Sequence, residues 1–355
     1  MTRELDEIDR TLLNLIQAEV PLEERPFAAI GRKLGLSETD VIARVAALRT
    51  EPKVIRQISA IFDSKSLGYQ SMLVAARVEE SLIDDAAAVI NAHPGVSHNY
   101  RRNHAYNLWY TLAVPPGSRL GLAGTVHLLH RLSGALVTRP MPTLKMYKIG
   151  VKLNLSDDVD PDAQSKAVRA THRSEDHHLP LLTERDKRII RALQQDLPLV
   201  ERPFDGPARE AGVTVGELLA AARSYERDGR MRRFAAVLRH REAGFKANAM
   251  GAWIVPIERE DDFGATAARF NAVSHCYRRP TYEDWPYSLF TMVHGQTEEE
   301  CEGVLRAIAS ATRIPSYAAL YSTKEYKKTR VRYFTGDIEA WEQRFAAPAR
   351  EPALA

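Results

Sequence analysis

The chain of 355 residues is longer than one ordinary domain, and its 45% apolar and 27% charged residues are those of a folded globular protein, which excludes disordered and fibrous classes. Its 49 basic and 46 acidic side chains nearly cancel to a formal +3, so no general field grips a nucleic-acid backbone and any anion site has to be local. The two cysteines, Cys276 and Cys301, fall outside any CxxC spacing and read as reduced, partly buried thiols; no window approaches eighteen consecutive apolar residues and the amphipathic start has no leader pattern, so a cytoplasmic protein without a membrane span is expected.

In chain order, Leu5, Ile8, Leu12, Leu13 and Ile16 recur at helical spacing, a second helix follows over Phe27 to Leu34, and Gly35-Leu36-Ser37 supplies a turn and an N-cap for a third that carries Val41, Val45 and Leu48. Alternation from Val54 to Phe62 reads as a wing strand, making residues 1–62 a winged helix-turn-helix domain. Beyond it come a strand at Gln70 to Val78, a helix at Ile83 to Ala92, strands at Ser97 to Arg102 and Asn107 to Val114, a helix at Leu120 to Leu132, and closing strands to about Leu155. That βαββαβ order over 63–155 predicts an α+β, ferredoxin-like antiparallel sheet with both helices on one face. Its open face needs a cover, and the seam so made suits a ligand.

Residues 156–180 are polar and aperiodic, a linker that includes His177 and His178. Then the unit repeats. PLEERPF from Pro21 returns as PLVERPF from Pro198, and VSHNYRR from Val96 returns as VSHCYRR from Val273, both shifted by 177 positions. The second copy therefore supplies a helix-turn-helix domain at 181–240, with Thr214 as the cap, and a ferredoxin-like domain at 241–335, before a tail at 336–355. Aligning NLWYT with YSLFT lengthens the shift to 180, which implies a three-residue insertion in the second copy.

A winged helix-turn-helix ahead of a ferredoxin-like ligand domain resembles the Lrp/AsnC transcription regulators, for which the function would be DNA binding switched by a small metabolite. The third helix of each copy argues against it. Arg44 and Arg49 stand among Glu38 and Asp40, and Arg223, Arg227 and Arg230 among Glu217, Glu226 and Asp228, so neither presents a basic face. A retained scaffold without site-specific DNA binding is the expectation.

The chemistry concentrates in the two matching strands. Period-two alternation sets His98, Tyr100 and Arg102 on one face with Asn99 and Arg101 on the other, and sets His275, Tyr277 and Arg279 together in the second copy. Arginines hold carboxylates through paired charged hydrogen bonds, aromatic rings offer flat apolar contact, and histidine moves protons near neutral pH, so the set suits a flat polycarboxylate undergoing acid-base chemistry. Each residue also has a structural reading. Trp109 and Trp285 fit a core, Arg101 and Arg278 fit pairing with local acids such as Glu283 or Asp284, and His127 and His130 fit a packed helix. No GxxxxGKS/T, GxGxxG after a strand, HExxH or GxSxG occurs, so nucleotide, zinc-protease and serine-hydrolase chemistry is not expected.

The stretches HNYRRNHAYNLWYT and VSHCYRRPTYEDWPYSLFTMVHG resemble the siroheme decarboxylases, which share the Lrp/AsnC architecture. Each is similar to the signature of one of that family's two subunit types, here fused as in the heme d1 branch of denitrifiers. The resemblance implies a carboxy-lyase that converts siroheme to 12,18-didecarboxysiroheme, removing two acetate carboxyl groups as carbon dioxide, with no cofactor of its own because the iron belongs to the substrate. It further implies His98 or His275 as proton donor and Tyr100 or Tyr277 orienting it. Arg101, Arg102, Arg278 and Arg279 would hold carboxylates, Trp109, Trp285 or Tyr282 would contact the macrocycle, and His104 or His294 would be an axial ligand of the substrate iron. His104 and His294 have no histidine counterpart in the other copy, so the halves are not equivalent, and the denser signature favours the second as the working half. The partner implied is siroheme; no membrane or DNA partner is expected, and association as a homodimer or with related subunits is open. A regulator sensing a tetrapyrrole through the same pocket is the alternative.

Overall fold

A computed structural model of the chain describes residues 5–51, 53–149, 179–238 and 247–345. Most of the 156–180 linker, with His177 and His178, and residues 346–355 of the tail lie outside them. The first copy folds as α1 (Glu7–Ala18), α2 (Pro26–Leu34), α3 (Glu38–Thr50), β1 (Ile55–Phe62), β2 (Gln70–Arg77), α4 (Ile83–Asn91), β3 (Val96–Arg102), β4 (Leu108–Val114), α5 (Gly121–Ser133), β5 (Val137–Met141) and β6 (Lys145–Ile149). The second follows as α6 (Glu184–Leu193), α7 (Asp205–Ala211), α8 (Val215–Arg227), β7 (Met231–Leu238), β8 (Ala247–Trp253), α9 (Glu260–Ala267), β9 (Val273–Arg278), β10 (Leu289–Gly295), α10 (Glu298–Thr312), β11 (Tyr317–Lys328) and α11 (Asp337–Phe345). These elements gather into two compact units, one of Met1–Gln70, His178–Glu242 and Arg332–Asp337, the other of Ser71–His177, Ala243–Val331 and Ile338–Ala355. Like parts of the two copies thus share a unit.

The helical unit follows its local signals. Asp6 caps α1 by accepting from the Asp9 amide, Ser37 caps α3 by accepting from Asp40, and Thr214 and Glu217 form a reciprocal capping box on α8. Gly35 and Gly212, at matching positions, end α2 and α7 at φ +67° and +68°, a conformation that only glycine adopts cheaply. The two expected wing strands are partners of each other: β1 runs antiparallel to β7, and the Val20 amide reaches the Phe234 oxygen at 2.7 Å just as the Leu197 amide reaches Ile58 at 2.8 Å.

The α/β unit carries the tandem ferredoxin-like fold, with strand orders β5-β2-β4-β3 and β11-β8-β10-β9. Each half then borrows a strand. β6 of the first copy leaves its own sheet and pairs with β9, while β11 pairs with β8 through Tyr317–Tyr321 and continues onto β3 from Ser322 to Lys328. The exchange satisfies the outer edges of β3 and β9 and joins the halves into nine strands.

Alternation divides each half-sheet into two apolar faces. Val74, Ala76, Val96, Tyr110 and Leu112 pack under α4 and α5, and Ala249, Trp253, Val273 and Val293 pack under α9 and α10. The opposite faces share one cluster of Ala75, Tyr106, Trp109, Met141, Met250, Ala252, Trp285, Phe290 and Leu320. The cover that the open sheet face required is the other copy. The expected tail begins with α11, whose Trp341 and Phe345 join the first half's core and whose buried Glu342 accepts from the Ser118 hydroxyl and from the amides of Arg119 (2.9 Å) and Leu120 (3.4 Å).

Candidate active site

The site starts from a defect in pairing. Along β3, Val96 pairs with Leu112 but His98 pairs with Thr111; along β9, Val273 pairs with Val293 but His275 with Met292. One extra residue, Ser97 or Ser274, is therefore bulged out of each strand, and a bulge re-aims the side chains around it. The serine hydroxyl lies 3.0 Å from Nδ1 of His98 in one copy and 2.7 Å from Nδ1 of His275 in the other.

Beyond the bulge normal alternation resumes. His98 lies beside Tyr100 with ring centroids 6.2 Å apart, and the Arg102 guanidinium lies 6.0 Å from the Tyr100 ring. His275 and Tyr277 repeat this at 5.8 Å, with Arg279 5.0 Å from the Tyr277 ring. The alternate residues turn to the helices. Asn99 donates to Asn91 on α4 at 3.0 Å, Arg101 pairs with Glu80, and Arg278 pairs with Glu260 on α9 at 3.0 Å. The four expected carboxylate-holding arginines thus divide: Arg101 and Arg278 already hold carboxylates on the helix side, away from the His–Tyr rows.

Arg102 and Arg279 differ from them. Each is buried, its Nη1 donating to the main-chain oxygen of Leu320 or Met141, and among the described residues neither has an acidic partner or a partner for Nε. Burial pulls both guanidiniums down to about 10, because a charge removed from water is destabilised when no anion compensates it. His275 is also held below the usual histidine value, first by burial and then by the cations Arg279 and Lys148.

The remaining expected residues collect around Trp285. Trp285 is fully buried, 5.2 Å from Trp109 and from His104, with its Nε1 unpartnered among the described residues. The Trp109 indole donates to the Tyr106 oxygen at 2.7 Å. Both tryptophans are core aromatics of the shared cluster. Tyr282 donates to the Pro140 oxygen and carries the Arg139 guanidinium 5.0 Å above its ring, while Arg139 and Tyr106 both bond Asp284. Asp284, expected as a partner for Arg101 or Arg278, is engaged by Arg139 instead. His104 accepts from the Tyr106 amide at Nδ1, and burial lowers its basicity.

His294 projects beside the bulge, with Nε2 2.6 Å from the Ser274 hydroxyl and Nδ1 2.5 Å from Oδ1 of Asn248. With both ring nitrogens engaged, this arrangement leaves it none for an iron. Strand register also corrects the insertion. The Arg102 amide bonds Asn107 O and the Arg279 amide bonds Ser288 O, so four residues are added in the second loop and Phe290 stands where Trp109 does. His130 meets Thr138 at 3.0 Å on the helix side. Cys276 and Cys301 are fully buried, their thiols pushed up to about 12 and about 11, so neither is a nucleophile. Ser274 and Asn248 were passed over in the sequence, although the serine precedes the histidine in both copies.

A tandem of AsnC-like ligand domains, each with a half-buried His–Tyr pair that ends on a buried arginine, defines an Lrp/AsnC-like protein. The family model for the AsnC-like ligand-binding domain matches residues 66–148 and 242–327, and that for the siroheme decarboxylase NirDL-like HTH domain matches 9–56 and 186–232. The chain is 38% identical to the siroheme decarboxylase of Hydrogenobacter thermophilus over 95% of its own length and 97% of that protein's. It is 31% identical to the siroheme decarboxylase NirDL subunit of Paracoccus denitrificans, over 91% and 96%. It also superposes on the crystal structure of siroheme decarboxylase NirDL in complex with an iron-uroporphyrin III analogue, at a TM-score of 0.75 and 32% identity over 96% and 99% of the two chains. The chain belongs to the siroheme decarboxylases, a family of carboxy-lyases, in the fused form that holds both halves on one polypeptide. Among the described residues, no helix is long and apolar enough to cross a membrane.

Proposed function

We propose that this chain removes the carboxyl groups of two acetate side chains of siroheme as carbon dioxide, leaving methyl groups. The observation that carries the reading is the buried guanidinium at the end of each His–Tyr row, uncompensated by any acid among the described residues. Such a charge is costly when empty and is stabilised by an incoming carboxylate, which a substrate bearing many carboxylates supplies. The family relationship, and the iron-uroporphyrin III analogue bound by the NirDL relative, support the same substrate class.

On this reading Arg102 and Arg279 hold carboxylates that do not react, which fixes which acetate meets the donor. Cleavage of the C–C bond leaves an electron pair on the former acetate carbon. A proton delivered there by Nε2 of His98 or His275 completes the methyl group as carbon dioxide departs. Tyr100 or Tyr277, packed beside the imidazole, orients it. Within the reading, Trp109, Tyr282 and Trp285 support the macrocycle's apolar surroundings, His104, with Nε2 directed away from its Nδ1 contact, is the remaining axial candidate, and the protein adds no cofactor of its own. Cytoplasmic action belongs to the same reading, in keeping with two buried cysteines that remain free thiols.

The rival reading, a DNA-binding regulator, draws support from the helix-turn-helix fold. Its weakness is the basic residues on α3, where Arg44 bonds Asp6 and Asp9, and Arg49 bonds Asp196. The chain incubated anaerobically with siroheme, followed by product mass, separates the two: loss of two carboxyl groups is the outcome of the enzyme, and intact siroheme with salt-sensitive, sequence-specific DNA binding that of the regulator.

A further inference from the structure

The two histidine rows differ in what stands behind them. In the second copy, Ser274 Oγ sits between two imidazoles, 2.7 Å from His275 Nδ1 and 2.6 Å from His294 Nε2, and His294 Nδ1 meets Asn248 Oδ1 at 2.5 Å. In the first copy the position of His294 is filled by Ala113. The Ala113 amide bonds the Gly95 oxygen as the His294 amide bonds Ala272, and each follows the residue paired with the first valine of its HxYRR strand. Ser71 takes the register of Asn248, one residue pair beyond Leu73, which pairs with Met141 as Met250 pairs with Leu320. Among the described residues, His98 therefore has its serine but an alanine where His275 has the imidazole of His294.

The polarity of the chain is fixed at one end. Oδ1 of Asn248 accepts, so Nδ1 of His294 carries a hydrogen, and Nε2 faces the serine. A hydroxyl both donates and accepts, so Ser274 can accept a hydrogen bond from Nδ1 of His275 while donating one to Nε2 of His294. The 3.3 Å contact from Ser274 to the Met292 oxygen is longer than either imidazole contact.

Resting on the decarboxylase reading, we infer that His294, acting through Ser274, is a positioning residue that holds a hydrogen of His275 on Nδ1 and so leaves Nε2 to carry the proton used in decarboxylation, which makes the second copy the working half. The balance closes. Ser274 donates to the bare Nε2 of His294 and accepts from Nδ1–H of His275, and His275, protonated on both nitrogens, gives the proton on Nε2 to the carbon from which carbon dioxide has left. Both imidazoles end neutral with hydrogen on Nδ1, the serine keeps one hydrogen, and one external proton has been consumed for each carboxyl group lost. The proton lost from Nε2 of His275 is replaced from solvent before the next carboxyl group is removed, which returns the pair to its starting state. Among the described residues, the charged and titratable groups around His275 are Arg279 and Tyr277 on its own strand, Lys148 on β6 and His294 on β10.

The test uses the full-length chain with siroheme itself. Ser274→Ala and His294→Ala are expected to lower kcat by about tenfold or more with KM little changed, as expected when proton delivery rather than binding is lost. Ser274→Thr, which keeps the hydroxyl, restores most of it. In a titration of 15N-labelled histidine without substrate, His275 is expected as the Nδ1–H tautomer, its titration coupled to that of His294 and reduced to a single step in His294→Ala. An active wild type with an equally active His294→Ala of unchanged pH profile overturns the role of His294 alone, as does an Nε2–H tautomer of His275 indifferent to His294. A wild type that leaves siroheme intact overturns the decarboxylase reading and the role of His294 with it.

Discussion

Arg102 and Arg279 make the same contact in opposite directions: Arg102 of the first copy donates to Leu320 O of the second at 2.8 Å, and Arg279 of the second donates to Met141 O of the first. Leu320 and Met141 occupy the points where a strand leaves one sheet for the other. Each arginine therefore latches the strand exchange with one nitrogen and keeps its charge beside a His–Tyr row.

Arg279→Met is expected to weaken siroheme binding about tenfold to a hundredfold, the loss of one charge-assisted contact. Arg278→Met, at a half-exposed position already paired with Glu260, is expected to change it by less than about threefold. An absorbance titration of both variants, with melting curves to verify folding, reads the difference. Equal losses would remove the division between inner and outer arginines.

The pH dependence follows from the direction of the His275 shift. Burial, Arg279 and Lys148 hold its pKa below the ordinary 6.5, so the protonated form that a donor needs declines as pH rises through that lowered value. The limiting slope of kcat/KM, which reports the free protein, is a fall of about tenfold per pH unit above about pH 6.5. A rate that rises between about pH 6.5 and 8 contradicts a histidine donor.

His93 makes a separate prediction about stability. It is fully buried, accepts from the Gly95 amide at 3.0 Å and packs against Trp341 of α11 with ring centroids 4.4 Å apart. Burial, followed by Lys327, lowers its pKa to about 3. The unfolded chain binds a proton near 6.5 and the folded chain does not until about 3, so stability is complete above 6.5 and is lost as pH falls through that window. The loss from this one group is up to about 5 kcal/mol by pH 3. His93→Asn, which keeps an acceptor near Nδ1, is expected to flatten the acid side of a melting-temperature profile, and an unchanged slope would acquit His93.

Glu342 fixes α11 from the other side, its buried carboxylate serving three donors at the start of α5. Glu342→Ala strands those donors and is expected to cost about 2–3 kcal/mol, read by urea unfolding. A loss under about 0.5 kcal/mol would place the helix outside the cooperative fold.

Much of this was legible in the residues. The common shift between PLEERPF and PLVERPF gave the duplication, and alternation through HxYRR put the right three side chains on one face of each strand, because both signals are local. The strand exchange was not legible: nothing in KMYKI distinguishes pairing with its own sheet from pairing with β9, since partner choice is set by non-local edges. The bulge serines escaped because strict alternation sends Ser97 and Ser274 to the opposite face from the histidines. Register alone revealed the extra inserted residue and moved Phe290 onto Trp109. The helix at Asp337–Phe345 was hidden in a presumed tail because its one strong anchor, Trp341, packs against a core formed almost entirely by residues distant in sequence.

The central claim meets its most direct test in one measurement, the mass of siroheme after anaerobic incubation with the intact chain. The account predicts a product lighter by two molecules of carbon dioxide, with a singly decarboxylated species passing through on the way. Siroheme that is bound and returned unchanged would contradict it.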